Sequence, residues 1–63
     1  MDFSDAVVLE INKHIEYLAK NVADGSAKSF EDYKFVCGQI QGLMVARRIT
    51  QDLAKHLKDQ DDD

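Results

Sequence analysis

The chain has 63 residues and carries 8 basic and 12 acidic side chains, which gives it a net charge of −4. A domain this small buries only about 60% of its unfolded surface and has no volume for an enclosed catalytic pocket, so we expect no enzyme, no cofactor and no small-molecule substrate. No apolar run is long enough to cross a bilayer, which predicts no membrane span, and the acidic balance disfavours nucleic acid as a partner.

The first predicted element is a helix over residues 3–23. Its apolar side chains recur at spacings of three and four residues, which is the period of one helix face. These residues are Val8, Ile11, Ile15, Leu18 and Val22. The rest of the helix surface is mostly polar, so we expect one buried face and one solvent-exposed face.

Residues 24–28 form the clear break in this pattern. Gly25 can adopt the left-handed conformation that closes a helix. Ser29 is a good N-cap for a following helix, and Asp32 three residues later completes an imperfect capping box. These signals predict a helix–loop–helix arrangement with a second helix over residues 29–58.

The second helix is apolar over more than one face. One stripe contains Val36, Ile40, Leu43 and Met44, and a second contains Gly38, Gly42, Ala46, Ile49 and Leu53. A single antiparallel partner covers about a third of a helix surface, so this helix is patterned for two contacts at once. Which of the two stripes meets the first helix stays open at this point.

These elements predict an all-α fold, an antiparallel two-helix hairpin. With one cysteine, an intrachain disulfide is impossible. We therefore expect the hairpin to complete its core by oligomerisation into a four-helix bundle or by docking on a larger protein. The predicted interface consists of Phe35, Val36, Gly38, Ile40, Gly42, Leu43, Ala46, Ile49 and Leu53.

Gly38, Gly42 and Ala46 form a file of small residues at a spacing of four. Each glycine inside a helix costs about 1 kcal/mol relative to alanine, so a compensating contact is expected. Three explanations are open: close approach to another molecule, close packing against the first helix, or a tolerated flexible spot.

Three aromatic residues, Phe30, Tyr33 and Phe35, crowd the first turns of the second helix. The simpler interpretation is that they plug the end of the hairpin core. The alternative is that one of them, Phe35, is an anchor for a partner, since buried aromatic side chains often dominate binding energy.

The residues that could carry chemistry are isolated. Cys37 has no second cysteine or enclosed histidine base and is expected to act as a small buried hydrophobe. Neither His14 nor His56 has a second strong ligand one helical turn away, and Asp52 with His56 is at most half a site. We therefore predict no catalytic, cofactor-binding or metal-binding residues.

Arg47 and Arg48 form one basic dipeptide in the middle of the second helix. Arg47 projects into the Val36 and Ile40 stripe, so we expect its stem to lie along the seam and its head to reach an acidic group at the rim. Contact with a phosphate is the alternative interpretation.

Residues 59–63 contain four aspartates, which are poor helix formers and unfavourable at a helix carboxyl end. We predict an acidic flexible tail whose simplest role is solubility. Without these four aspartates the acidic and basic residues balance.

The segment from Tyr33 to Ala46 has an aromatic residue followed by Cys37-Gly38, Ile40, Gly42-Leu43 and Ala46. This pattern resembles small helical-hairpin proteins of tailed bacteriophages that are encoded among head and tail structural genes. The resemblance covers about a quarter of the chain. It implies a virion-associated or assembly role in a bacterial host cytoplasm or in the virion, a partner that is the chain itself or a larger phage structural protein, and no catalytic residue.

Two other functions remain open. A small regulator or inhibitor of a host protein could use the aspartate tail with Asp2, Asp5, Glu31 and Asp32 to meet a basic cleft. In architecture the hairpin also resembles the dimeric four-helix-bundle regulators of plasmid copy number, which bind RNA. That function would rest on Arg47, Arg48, Lys55 and Lys58, although a basic face is not evident.

Overall fold

The computed structural model describes residues 1–61, which form two antiparallel α-helices. Helix α1 spans Phe3–Ala23 and helix α2 spans Phe30–Asp61, joined by a short loop. The predicted all-α hairpin is confirmed. Its dimensions are 52 × 19 × 10 Å, so it is a long and thin molecule.

Both ends of α1 are closed by local hydrogen bonds. At the start, Asp2 accepts from the Asp5 backbone N–H at 2.9 Å and Asp5 accepts from the Asp2 N–H at 3.2 Å, which is a capping box. At the end, Gly25 has a φ of 89°. This left-handed residue lets the N–H groups of Gly25 and Ser26 turn back to the carbonyls of Val22 and Asn21.

Helix α2 begins directly after Ser29, as the capping pattern predicts. The Asp32 N–H donates to Ser29 Oγ at 3.0 Å. The Asp32 carboxylate accepts from the Lys28 N–H at 3.3 Å, one residue before the position expected in an ideal capping box.

The carboxyl end of α2 differs from the sequence-based prediction. The helix does not stop at residue 58 but continues to Asp61, so residues 59–61 of the predicted flexible tail are helical. Lys58 supplies a favourable cation in this last turn, and the Gln60 amide lies 3.2 Å from the His56 ring one turn back. Residues 62 and 63 of the predicted tail lie outside the described residues.

The hairpin core is a single seam between the two helices. Leu18, 8% exposed, is the one buried side chain of the described residues, and the seam positions around it are half-buried. Helix α1 contributes the predicted residues Val8, Ile11, Ile15, Leu18 and Val22. Helix α2 contributes Val36, Ile40, Leu43, Arg47, Thr50 and Ala54. Three residues of the first predicted α2 stripe, Val36, Ile40 and Leu43, therefore meet α1, whereas its fourth, Met44, is 44% exposed.

Two polar side chains of α2 lie within this seam. Arg47 donates to Asn12 Oδ1 of α1 at 2.7 Å, and Thr50 Oγ1 donates to the Ala46 carbonyl at 2.8 Å. The prediction that Arg47 reaches an acidic group was wrong, because an asparagine amide lies at the matching height of α1. A half-buried cation with one fixed partner favours this helix register over shifted ones.

Candidate functional site

The second apolar face of α2 is left without a partner in the hairpin. We call it the α2 strip, and it consists of Phe35, Gly38, Gly42, Ala46, Ile49, Leu53 and Leu57. Phe35 is 69% exposed, Ile49 57% and Leu53 55%. The strip contains no charged residue over its length. Large apolar side chains gathered on one exposed helix face indicate a protein-binding surface.

The α2 strip lies on one side of the hairpin, beside a flank of α1. Gly42 lines a shallow groove with His14 and Leu18 of α1. Phe35 lines another with Leu18 and Val22 near the loop. The two grooves share Leu18, so the strip borders the same flank of α1 at Phe35 and at Gly42.

The two glycines of the strip are not there to fit α1. A Cβ atom added at Gly38 or Gly42 would meet no other atom within 4 Å. Of the three explanations for the glycine file, close packing against the first helix is therefore excluded. Contact with another molecule and a tolerated flexible spot remain.

The nine predicted interface residues divide between two surfaces. Val36, Ile40 and Leu43 belong to the seam with α1 and are half-buried there. The other six belong to the α2 strip: Phe35, Gly38, Gly42, Ala46, Ile49 and Leu53. Sequence projection could not separate the two sets, since both stripes are apolar and both have helical spacing.

The aromatic residues at the start of α2 do not plug the core. Phe30 is 72% exposed and stacks under the Lys34 ammonium group, with 5.7 Å between the nitrogen and the ring centroid. Tyr33 and Phe35 are also exposed. The plug interpretation was wrong, because all three rings remain largely exposed on the surface of α2 and none is enclosed in the seam.

The other polar candidates remain isolated along the two helices. Cys37 is half-buried, and a side-chain hydrogen bond with it raises the pKa of Tyr33 one turn away. His14 stacks on Tyr17 with 6.0 Å between ring centroids. Within residues 1–61 no three potential metal-ligating side chains come together.

The basic and acidic candidates are also dispersed. Arg47 is engaged with Asn12, while Lys55 and Lys58 share a depression with Asp2 and Asp5 at the start of α1. The proposed acidic positions lie at opposite ends of the hairpin, with Asp2 and Asp5 at one end and Glu31 and Asp32 beside the loop. Neither set forms one uniform charged patch.

The amount of exposed surface agrees with an incomplete core. The chain exposes 5130 Å². A compact monomer of 7.1 kDa is expected to expose about 4,100 Å². The excess of about 1,000 Å² is close to the roughly 800 Å² that each partner buries in a standard protein interface.

Over the described residues, neither α1 nor α2 combines the length and apolar character that crossing a membrane requires. No family model, curated protein or solved structure matches the chain.

Proposed function

We propose that the chain is a non-enzymatic interaction protein that acts by helix–helix packing through the α2 strip. The observation that supports this is the second apolar helix face, which is as extended as the seam with α1 but exposed in the hairpin. Burial of such a face is the main driving force of association. No chemistry is required of the side chains, and the residues that could supply it are dispersed.

The resemblance of residues 33–46 to small hairpin proteins of tailed bacteriophages supports a more specific role for the chain. The chain is a virion-associated or assembly component that packs on itself or on a larger phage structural protein. It is made in the cytoplasm of a bacterial host and enters the particle or its assembly intermediate through the α2 strip.

The test compares particles made with the unaltered chain and with Leu53→Asp, which places a charge in the second half of the strip. Mass spectrometry of purified particles is expected to detect the unaltered chain at a fixed ratio to the major structural proteins. The variant is expected to be lost from the particles, or from the assembly intermediates that precede them.

Gln41→Asp is the matched control, because it introduces the same charge on the exposed polar side of the same helix. It is expected to behave as the unaltered chain. If particles form normally and with unchanged composition when the chain is deleted, the virion or assembly role is wrong.

A further inference from the structure

After Phe35, the side chains of the α2 strip are ordered by size. Gly38, Gly42 and Ala46 occupy its first half, and Ile49, Leu53 and Leu57 occupy its second half. A helix that packed in parallel with a copy of itself would place glycine on glycine and isoleucine on isoleucine. The groove between the helices would then be empty at one end and overfilled at the other.

An antiparallel pair of α2 helices removes this mismatch. With a two-fold axis between residues 45 and 46, Gly38 of one copy lies opposite Leu53 of the other, and Gly42 lies opposite Ile49. Ile49 and Leu53 then each fit over a glycine, the two Ala46 residues meet at the axis, and Leu57 lies level with Lys34 of the other copy. This is the self-complementary pattern that a two-fold interface requires.

The helix bounds give the same axis independently. Helix α2 runs from Phe30 to Asp61, so its midpoint also lies between residues 45 and 46. Two copies related by this axis overlap along the full length of α2, about 48 Å at 1.5 Å per residue.

We infer that the α2 strip binds a second copy of this chain, with the two α2 helices antiparallel and Gly38 and Gly42 seated under Leu53 and Ile49 of the partner. This deepens the proposed function, because it identifies the occupant of the same surface. The surplus of exposed area, about 1,000 Å² per chain, matches what each subunit of a stable dimer buries.

The glycines gain a role in this arrangement that they lack in the hairpin. With no Cβ atom, Gly38 and Gly42 allow the helix backbones to approach closely while the partner's side chain fills the space above them. Nothing from α1 occupies that space.

A dimer with α2 packed on α1 of the partner fits less well. The Arg47–Asn12 hydrogen bond sets the height of the two helices, so Ile49 lies level with Glu10. A two-fold axis along the helices would place Ile49 against Glu10, whose carboxylate is exposed and paired with Lys13 at 3.3 Å. That carboxylate would lose its hydration without a new partner.

The first experiment is sedimentation equilibrium of the full chain and of Gly42→Ile, Ile49→Gly and the double variant that exchanges the two residues. The unaltered chain is expected to be a dimer, and each single variant is expected to weaken dimerisation at least about tenfold, since it overfills or empties the 42–49 contact. The exchange keeps one isoleucine opposite one glycine and is expected to recover most of the affinity.

Gln41→Ile controls for the change in helix propensity and surface hydrophobicity, since residue 41 lies outside the strip; it is expected to leave dimerisation unchanged. Circular dichroism of each variant separates loss of the dimer from loss of the helices. A monomeric, fully helical unaltered chain overturns the inference, as does a dimer whose affinity none of the strip variants changes.

The second experiment measures the direction of the helices with a nitroxide on Cys37, the native single cysteine on the opposite flank of α2. The antiparallel dimer places the two Cys37 Cα atoms about 29 Å apart. The 17 residues of axial rise, about 26 Å, combine at right angles with a lateral distance of about 14 Å, which is the helix spacing of about 9 Å plus the two Cα radii. Any arrangement with parallel α2 helices brings the two Cys37 residues within about 20 Å of each other. A distance in that shorter range, measured by double electron–electron resonance, overturns the inference.

The phage role and the antiparallel dimer can be disproved independently of each other. A chain that is monomeric in solution but enters particles through Leu53 retains the proposed function and loses the self-association. A chain that forms the antiparallel dimer but is absent from particles and from their assembly retains the dimer and loses the phage role.

Discussion

At the scale of single residues, the Arg47–Asn12 pair is the feature that makes the hairpin seam specific. Apart from Thr50, whose hydroxyl bonds within its own helix, the rest of the seam is aliphatic, and an aliphatic seam tolerates a shift of one helix along the other by a heptad. The arginine head has one defined acceptor in α1, at 2.7 Å. Removing either partner leaves a half-buried polar group unpaired, which costs more than the hydrogen bond itself contributes.

We predict that Asn12→Ala and Arg47→Ala each destabilise the hairpin and that the double variant loses less than the two effects added together. The coupling energy is expected to be about 1 kcal/mol, since a hydrogen bond to a charged group between two part-buried side chains is removed in both single variants. Urea unfolding at one protein concentration measures it.

Arg48→Ala is the control for this cycle, because Arg48 is exposed on the same helix and has no contact with Asn12. Its effect is expected to add to that of Asn12→Ala without coupling. Coupling of equal size for Arg47 and Arg48 would show that the seam hydrogen bond does not fix the register.

At the scale of the elements, the start of α1 depends on one carboxylate. Hydrogen bonds from the Ser4 hydroxyl and the Asp5 backbone N–H lower the pKa of Asp2 from its ordinary value of 3.8. A lowered pKa means that the ionised form is favoured in the folded state. The contribution to stability is therefore present above pH 3.8 and is lost as the pH falls through the lower folded-state pKa.

We predict that Asp2→Ala lowers Tm at pH 7, while Asp2→Asn stays close to the unaltered chain because asparagine is also a good N-cap. On acidification, the unaltered chain should lose helix content at the start of α1 below about pH 4, the normal titration range of an aspartate. Asp2→Asn should lose less. Thermal melts of the three chains from pH 2 to pH 7 measure both effects, and an Asp2→Asn profile as steep as that of the unaltered chain would contradict the assignment.

The helices themselves were predictable because their signals are local. Apolar spacing, Gly25 and the Ser29–Asp32 pattern act within one or two turns, and they place α1 and the start of α2 where the structure has them. The end of α2 was not predictable from aspartate propensity, because a long helix already formed and supported by Lys58 extends at little cost. The capping box of Asp2 and Asp5 was overlooked, although the Asp-x-x-Asp spacing before an apolar run was a usable signal.

The assignment of the two α2 stripes needed the second helix. Both stripes are apolar and periodic, so a helical projection of α2 alone does not distinguish which of them is buried against α1. The seam includes Arg47, which no hydrophobic count would select. The fit to α1 determines which stripe enters the seam, because Asn12 of α1 provides the hydrogen-bond acceptor for Arg47. Ile49 and Leu53 then remain exposed on the surface of the hairpin.

At the scale of the whole molecule, shape and association are linked. The Cα radius of gyration is 15.1 Å, against about 11 Å for a compact chain of this length. A thin rod can gain a core without becoming longer only if a second rod lies beside it. Because the axis inferred for the α2 strip coincides with the midpoint of α2, the second copy adds thickness and no length.

We therefore predict that small-angle scattering of the unaltered chain gives twice the monomer mass with a Cα radius of gyration of only about 16 Å, since two rods about 10 Å apart add little to the distribution along the axis. A dimer joined at its ends would have twice the mass and a radius of gyration of about 30 Å, as two rods 52 Å long placed in line. An intermediate value would mean that the copies overlap over only part of α2. The register that seats Ile49 on Gly42 would then be wrong even if the chain is dimeric.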